Sequence, residues 1–214
     1  MAFQTPVSEL LKTAKLVFMG VLVPVLFLLL AFLLSPYFLK SSDPYSKSEV
    51  LILELDEDVS RKAIKPLGSL FEKMVFDRVW VVSANTPSTD SSPISKENPS
   101  GVFSEHLVQL GIDKPRIIEI PIDKSQKRNE RQRAIIKKVA SESIKTILVA
   151  SDAWKLSRVC ATYKKSFENL GVSVSCYELS SPYSDFQWYR TESGIAHVAK
   201  ELILFLYYKI QGYT

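Results

Sequence analysis

Residues 145–179, KTILVASDAWKLSRVCATYKKSFENLGVSVSCYEL, read as a strand, a helix and a second strand. Residues 146–150 form a short apolar run rich in β-branched side chains. Ser151 or Asp152 stands where a helix cap is needed, Gly171 where a helix ends, and residues 172–177 restart a strand after a very short connection. Two strands joined through a helix of this length are most economically parallel, with a right-handed crossover. In open parallel sheets ligands sit beyond the carboxyl ends of the strands. The turn at residues 150–155, ASDAWK, is therefore the first place to look for chemistry.

Outward from this unit the same alternation continues. Residues 49–55 (EVLILEL), 78–83 (RVWVVS) and 116–122 (RIIEIPI) read as three further strands. An amphipathic helix fits Val59, Ala63, Leu67, Leu70, Phe71 and Met74, with Pro66 and Gly68 bending or interrupting it. A short helix over 102–110 stops at Gly111, and a basic helix opens at Ser125. A closing helix over 191–208 would bury Ile195, Val198, Ala199, Leu202, Phe205 and Leu206. Residues 84–101 are a Ser/Thr/Pro/Asn tract, read either as a mobile flap or as plain disorder. The order of elements holds no internal repeat. It predicts an α/β fold, a three-layer Rossmann-like sandwich on a mostly parallel five-stranded sheet, spanning residues 49–214 as one domain.

The N-terminal quarter is different in kind. After a flank at residues 1–15, residues 16–39 hold no charge, and the run LVFMGVLVPVLFLLLAFLL is long enough to cross a hydrocarbon layer of about 30 Å as a helix. A cleaved signal peptide would have a shorter apolar region and a small-x-small site, whereas Ser35-Pro36-Tyr37-Phe38 follows here. An uncleaved anchor is the expectation, with the lipid bilayer as partner through residues 16–39. Residues 40–48, KSSDPYSKS, read as a polar linker lifting the domain off the membrane. Lys12 and Lys15 on one side and Lys40 and Lys47 on the other barely decide its orientation.

Charge and metal-ligating residues narrow the function classes. The chain of 214 residues has a formal net charge of +4, and setting aside Lys12, Lys15, Lys40, Lys47, Glu9 and Asp43 leaves a near-balanced domain. That gives no general case for nucleic acid as a partner. Cys160 and Cys176 are too few and too far apart for a metal knuckle or a redox Cys-x-x-Cys motif, and read as two small buried side chains. His106 and His197 fall in separate helical patterns with no partner ligands near them in sequence, so neither a metal nor a cofactor is expected.

Two helix entrances carry charge of the destabilising sign. Lys127, Arg128 and Arg131 crowd one, Lys155 and Arg158 the other, where cations oppose the macrodipole by a few tenths of a kcal/mol each. If both entrances open on the same sheet edge, guanidinium groups and helix N-termini together suit an anionic small molecule such as a phosphate, pyrophosphate or carboxylate. Two plainer readings compete: long solvated side chains, and internal pairing of Lys155 and Arg158 with Asp56, Glu57 and Asp58 after the first strand. Phe186, Trp188 and Tyr189 would either wall a pocket or simply pack.

The Ser-Asp-x-x-x-x-x-Arg turn at Ser151, Asp152 and Arg158, the Ser125…Glu130 stretch and the ending Trp188…Glu201…Tyr208 resemble the YdcF/SanA/ElyC-type α/β domain of bacteria over about residues 49–212. The N-terminal anchor is similar to the one SanA-type members carry. The resemblance implies a Rossmann-like, membrane-tethered protein linked to envelope integrity or lipid-carrier metabolism, single-pass in the bacterial cytoplasmic (inner) membrane with its domain outside the cytoplasm. Carried over position by position, it adds Ser83, Asn85 and Ser151 to Arg128, Arg131 and Arg158 as ligand-binding candidates, with Glu130, Asp152 and Lys155 as candidates for proton transfer. The sequence also departs from the family. Asp56-Glu57-Asp58 replaces a glycine-rich loop, Ser83-Ala84-Asn85 replaces Ser-Gly-Gly, and Arg128-Asn129-Glu130-Arg131 keeps only the Glu of Thr-x-Glu-Asn. Lys155 stands where the family has a histidine, and a lysine exchanges protons near neutral pH only when burial lowers its pKa by several units. The expectation is an envelope protein that binds an anionic ligand or a partner with weak or lost catalysis. The alternatives are an active enzyme on phosphorylated or lipid-linked sugar intermediates, and a platform docking a protein partner through residues 84–101.

Overall fold

The computed structural model describes residues 6–40, 47–55, 61–85, 99–123, 128–181, 183 and 187–212. Its centre is β1 (Ser48–Leu55), in which Val50, Leu51, Ile52 and Leu53 are all fully buried. A continuous apolar run of this kind is what a strand covered on both faces requires. β1 pairs in parallel with β2 (Phe76–Asn85) on one side and β4 (Thr146–Asp152) on the other. β3 (Ile117–Asp123) extends the sheet beyond β2 and β5 (Ser173–Leu179) beyond β4, giving the order β3-β2-β1-β4-β5 with every pair parallel.

The two faces are covered by different helices. Leu51, Leu53, Val79 and Val81 face α3 (Pro66–Glu72) and α4 (Pro99–Gln109), where Leu67, Leu70 and Leu107 meet them. Val50, Ile52, Trp80, Val82, Ile147 and Val149 face α5 (Arg128–Ser141) and α6 (Leu156–Phe167), through Ile135, Val139, Val159, Tyr163 and Phe167. The α/β three-layer sandwich is therefore as expected. The sheet reverses its winding direction between β1 and β4, and their register is pinned at the lower edge. There Glu49 Oε1 accepts the N–H groups of Lys145 at 2.8 Å and Thr146 at 3.2 Å, while the Glu49 N–H donates to Thr146 Oγ1 at 3.1 Å.

Several local expectations are corrected. The interrupted first helix is a 3-10 turn over Arg61–Ile64 followed by α3, which stops at Glu72, so Met74 is exposed rather than core. Ser151 and Asp152 do not cap α6; both belong to β4, and α6 starts four residues later without a side-chain cap. The described part of the basic helix begins at Arg128. Most of the tract at 84–101 lies outside the described residues, β2 running to Asn85 and α4 starting at Pro99. The cysteines are buried, as read, but not as separate thiols. Cys160 on the inner side of α6 and Cys176 in β5 form a disulfide with their Cα atoms 6.0 Å apart, because the βαβ crossover lays the first turns of the helix against the strand it leads to.

The N-terminal segment is α1 (Pro6–Leu33), followed after one residue by α2 (Ser35–Leu39). The 19 residues from Lys15 to Leu33 are long and apolar enough to cross a membrane, and none of that span is buried in the protein. Its end does not hang free of the domain. Leu39 is fully buried, Phe32 meets Trp188 edge-on at 4.6 Å, and Lys40 lies 5.0 Å over the Trp154 ring and 3.6 Å from Glu178. The linker expected from residue 40 thus begins docked, Ser48 already belongs to β1, and residues 41–46 lie outside the described residues.

One ion cluster fastens the foot of the sheet to α5. Arg78 Nη1 donates to Glu142 Oε2 at 2.6 Å, and Lys138 reaches Glu142 Oε1 at 3.0 Å. Burial is the largest influence on the Glu142 carboxyl and raises its pKa, but the hydrogen bonds and charges of Lys138 and Arg78 together outweigh it and hold it below the ordinary value. A carboxyl that binds its proton less readily when folded stabilises the fold above its unfolded pKa, and loses that contribution as pH falls through the folded one. Glu142→Gln should therefore lower stability at neutral pH by about 1 kcal/mol or less. The gap between variant and parent should close as unfolding is followed down the acid limb.

Candidate functional site at the strand-tip rim

Parallel pairing throughout puts all five strand tips on one edge. Leu55 is level with Ser83, Ser83 with Pro121, and Asn85 with Asp123, while Leu53 is level with Ala150. Two residues further on, Ser83 and Asp152 stand at the same height on either side of β1. Ser83, Asn85, Ser151 and Asp152 therefore share the rim by backbone position. Arg128, Glu130 and Arg131 occupy the first turn of α5 on the same face of the sheet as α6. The side chains of Ser83, Asn85, Arg128, Glu130 and Arg131 lie outside the described residues, as do Asp56, Glu57 and Asp58.

The central turn is described in full, and its polar groups are inward. Ser151, Asp152, Lys155 and Arg158 are all buried. Asp152 ends β4, and its Oδ1 accepts the Trp154 N–H at 3.0 Å, closing an Asx-type turn that carries the chain from strand to helix. Arg158, one turn further on, was expected to face a ligand or an acidic residue after the first strand. Asp56, Glu57 and Asp58 lie outside the described residues; among those described, its partner is a different carboxylate. Its Nε and Nη2 both donate to Glu201 Oε2, at 3.1 and 2.7 Å, and its guanidinium lies 5.6 Å from the Tyr208 ring.

Glu201 comes from α7 (Glu192–Ile210), which also brings His197 Nε2 to 3.6 Å from Asp152 Oδ1. α7 packs chiefly on α2, α6 and the 3-10 turn Trp188–Arg190 rather than on the sheet. Its inner stripe is Gly194, His197, Val198 and Glu201, spaced i, i+3, i+4, i+7. Ile195 and Leu206, expected inside, are exposed. Trp188 packs between Trp154, Phe32 and Val198, while Tyr189 is exposed, so of the aromatic group the described members serve packing rather than a pocket wall.

Glycine at 194 is required by proximity. A Cβ there would stand 2.2 Å from the Trp188 carbonyl oxygen, while the Gly194 N–H donates to the capping Thr191 Oγ1 at 3.1 Å. Gly194→Ala must push the start of α7 away from Trp188, and overpacking of this kind costs about 2 kcal/mol. Chemical denaturation should show that loss. Amide exchange should speed first at residues 192–198, which open before the sheet.

His197 was not expected at the site, and Glu201 entered the sequence reading only through the family resemblance. The signal that would have found both is the stripe just named: a histidine and a glutamate on the same helical line as Gly194 and Val198 are presented inward together. Asp152, Arg158, His197 and Glu201 form one buried polar cluster. A carboxylate neutralises the guanidinium, a backbone N–H holds the aspartate, and an imidazole nitrogen stands 3.6 Å from it. Among the described residues no group of three or more His, Cys, Asp or Glu is placed to hold a metal ion.

No family model and no curated protein matches this chain. Among solved structures, a universal stress protein in complex with cAMP is similar at 12% sequence identity and a TM-score of 0.36, over 62% of this chain and 98% of that one.

Proposed function

We propose that this chain is a membrane-anchored protein of the bacterial cell envelope, similar to the YdcF/SanA/ElyC family. In this reading its domain lies outside the cytoplasmic membrane and binds an anionic ligand or a partner at the strand-tip rim, with catalysis weak or absent. One observation carries the choice of binder over enzyme. Arg158, the cation best placed in the central turn, is already occupied by Glu201, and Asp152 is held by the backbone of its own turn. Among the residues behind the family resemblance, Arg158 meets both Glu201 and Tyr208, and Trp188 meets Phe32 at the end of the apolar span, contacts that support the kinship. A disulfide supports the outward placement, since such bonds persist in oxidising compartments.

The cations left for a ligand are those of the α5 entrance. The test is thermal unfolding of the full-length chain in detergent micelles with inorganic phosphate, pyrophosphate or nucleotide-sugars. A ligand at a hundred times its Kd adds about 2.7 kcal/mol, a shift of several degrees. Arg128→Ala/Arg131→Ala should abolish the shift and leave the unliganded melting temperature nearly unchanged. If no anion shifts the parent protein, the anion-binding reading falls.

A second reading, an enzyme on phosphorylated or lipid-linked sugar intermediates, draws on His197. An imidazole 3.6 Å from Asp152 would supply, from another helix, the residue type that Lys155 replaces in the turn. Turnover of a sugar phosphate that His197→Gln abolishes while ligand binding survives would favour it.

A further inference from the structure

α7 carries more apolar surface than the domain covers. Its inner side is occupied by Asp152, Arg158, Trp154 and Trp188. At 3.6 residues per turn, Ile195, Ile203, Leu206, Tyr207 and Ile210 fall within an arc of about 120° on the opposite side. All five are exposed, Ile203 to 66% and Ile210 to 84%. No acidic residue lies on that arc from Ile195 onward, and the exposed Lys200 and Lys209 stand at its two edges. An apolar helix face with lysines along its margins is the pattern of a helix lying in the plane of a membrane surface.

The position of this face names its occupant. α2 packs on α7, and Phe32 at the end of the apolar span touches Trp188 just before α7 begins, so the chain leaves the domain for the hydrocarbon beside this helix. α2 itself exposes Phe38 and, beside it, Tyr37, a residue type that gathers at the level of lipid headgroups. We propose that α7 is a second membrane contact. It lies along the bilayer that α1 enters, with Ile203, Leu206, Tyr207 and Ile210 sunk into the boundary between headgroups and acyl chains and Lys200 and Lys209 among the headgroups. The domain is then held in one orientation, not swung on a linker, and the strand-tip rim keeps a fixed height above the lipid. This rests on the membrane-anchor reading given above.

The test uses the full chain, one copy per nanodisc of phosphatidylcholine and phosphatidylglycerol. A single environment-sensitive fluorophore is attached through Ile203→Cys, through Lys137→Cys on the exposed side of α5, or through Phe27→Cys in the anchor; the native cysteines are bonded to each other and take no label. The Ile203 label should emit to the blue and be quenched severalfold by lipids carrying a nitroxide near the headgroup. The Lys137 label should be quenched by aqueous iodide alone, and the Phe27 label most strongly by nitroxides deep in the tails. An Ile203 label open to iodide and untouched by lipid nitroxides, beside a lipid-quenched Phe27 label, would overturn the inference and leave the anchor standing. An Ile203 label shielded from both quenchers would mark a protein contact and overturn it too. A Phe27 label untouched by lipid nitroxides would bring down the anchor reading itself.

Discussion

Glu201→Gln is expected to cost this protein about 3–5 kcal/mol, the range found when one partner of a buried ion pair is removed. The Arg158 and Glu201 side chains are 7% and 2% exposed, and both guanidinium N–H groups converge on one carboxylate oxygen. Glutamine keeps the volume and one acceptor oxygen but not the charge, so a guanidinium that cannot shed its proton remains in a site water barely reaches. Denaturant unfolding of the full chain in micelles should show the loss, and a melting temperature lowered by roughly 6–20 °C is expected on the same scale. Arg158→Met/Glu201→Leu should recover most of it, because a packed apolar pair carries no desolvation cost. A loss in Glu201→Gln below about 1 kcal/mol would mean a solvated pair. Arg158 would then be free to take a ligand anion together with the cations of the α5 entrance.

The same ion pair shows where the sequence was transparent and where it was not. The strands were legible because a parallel sheet covered on both faces needs unbroken β-branched runs, and residues 146–150 or 49–55 allow no other element. The helix after β4 was legible for a similar reason, Val159, Tyr163 and Phe167 recurring on its one apolar stripe. α7 is the exception. It is apolar around most of its circumference, so periodicity alone leaves the phase loose: Val198 is buried and Leu202 and Phe205 pack beside it as expected, while Ile195 and Leu206 point out. Choosing the phase correctly depends on knowing that a histidine and a glutamate are needed inside, and that need comes from Asp152 and Arg158 on a different element.

The rim was legible in outline and not in detail. Right-handed crossovers between parallel strands placed Ser83, Asp152 and the two helix entrances on one edge, and the register bears that placement out. The pairing of charges depends on which side chains meet over tens of residues, which no local pattern encodes. The sequence points to internal neutralisation of Arg158 by a carboxylate after β1, which lies outside the described residues; the carboxylate that meets it among the described ones comes from α7, which packs on α6.

Joining Cys160 to Cys176 closes a loop of 16 residues, for which chain entropy alone gives about 3 kcal/mol of stabilisation. Cys160→Ala/Cys176→Ala is therefore expected to unfold at markedly lower denaturant, and dithiothreitol should bring the parent protein to the same midpoint while leaving the variant unmoved. Only a bond that forms in the cell can contribute this, and thiol pairs in a reducing cytoplasm are kept open. The bond thus ties stability to topology: with the domain outside the membrane the cysteines should be found joined, and with the domain inside they should be found as thiols in a weakened fold. Acid-quenching cells, unfolding the protein and alkylating with a mass-tagged maleimide separates the two cases. No added mass is the expected result. Two tags per chain would reverse the orientation proposed for the domain and would require the α7 face to meet the opposite leaflet.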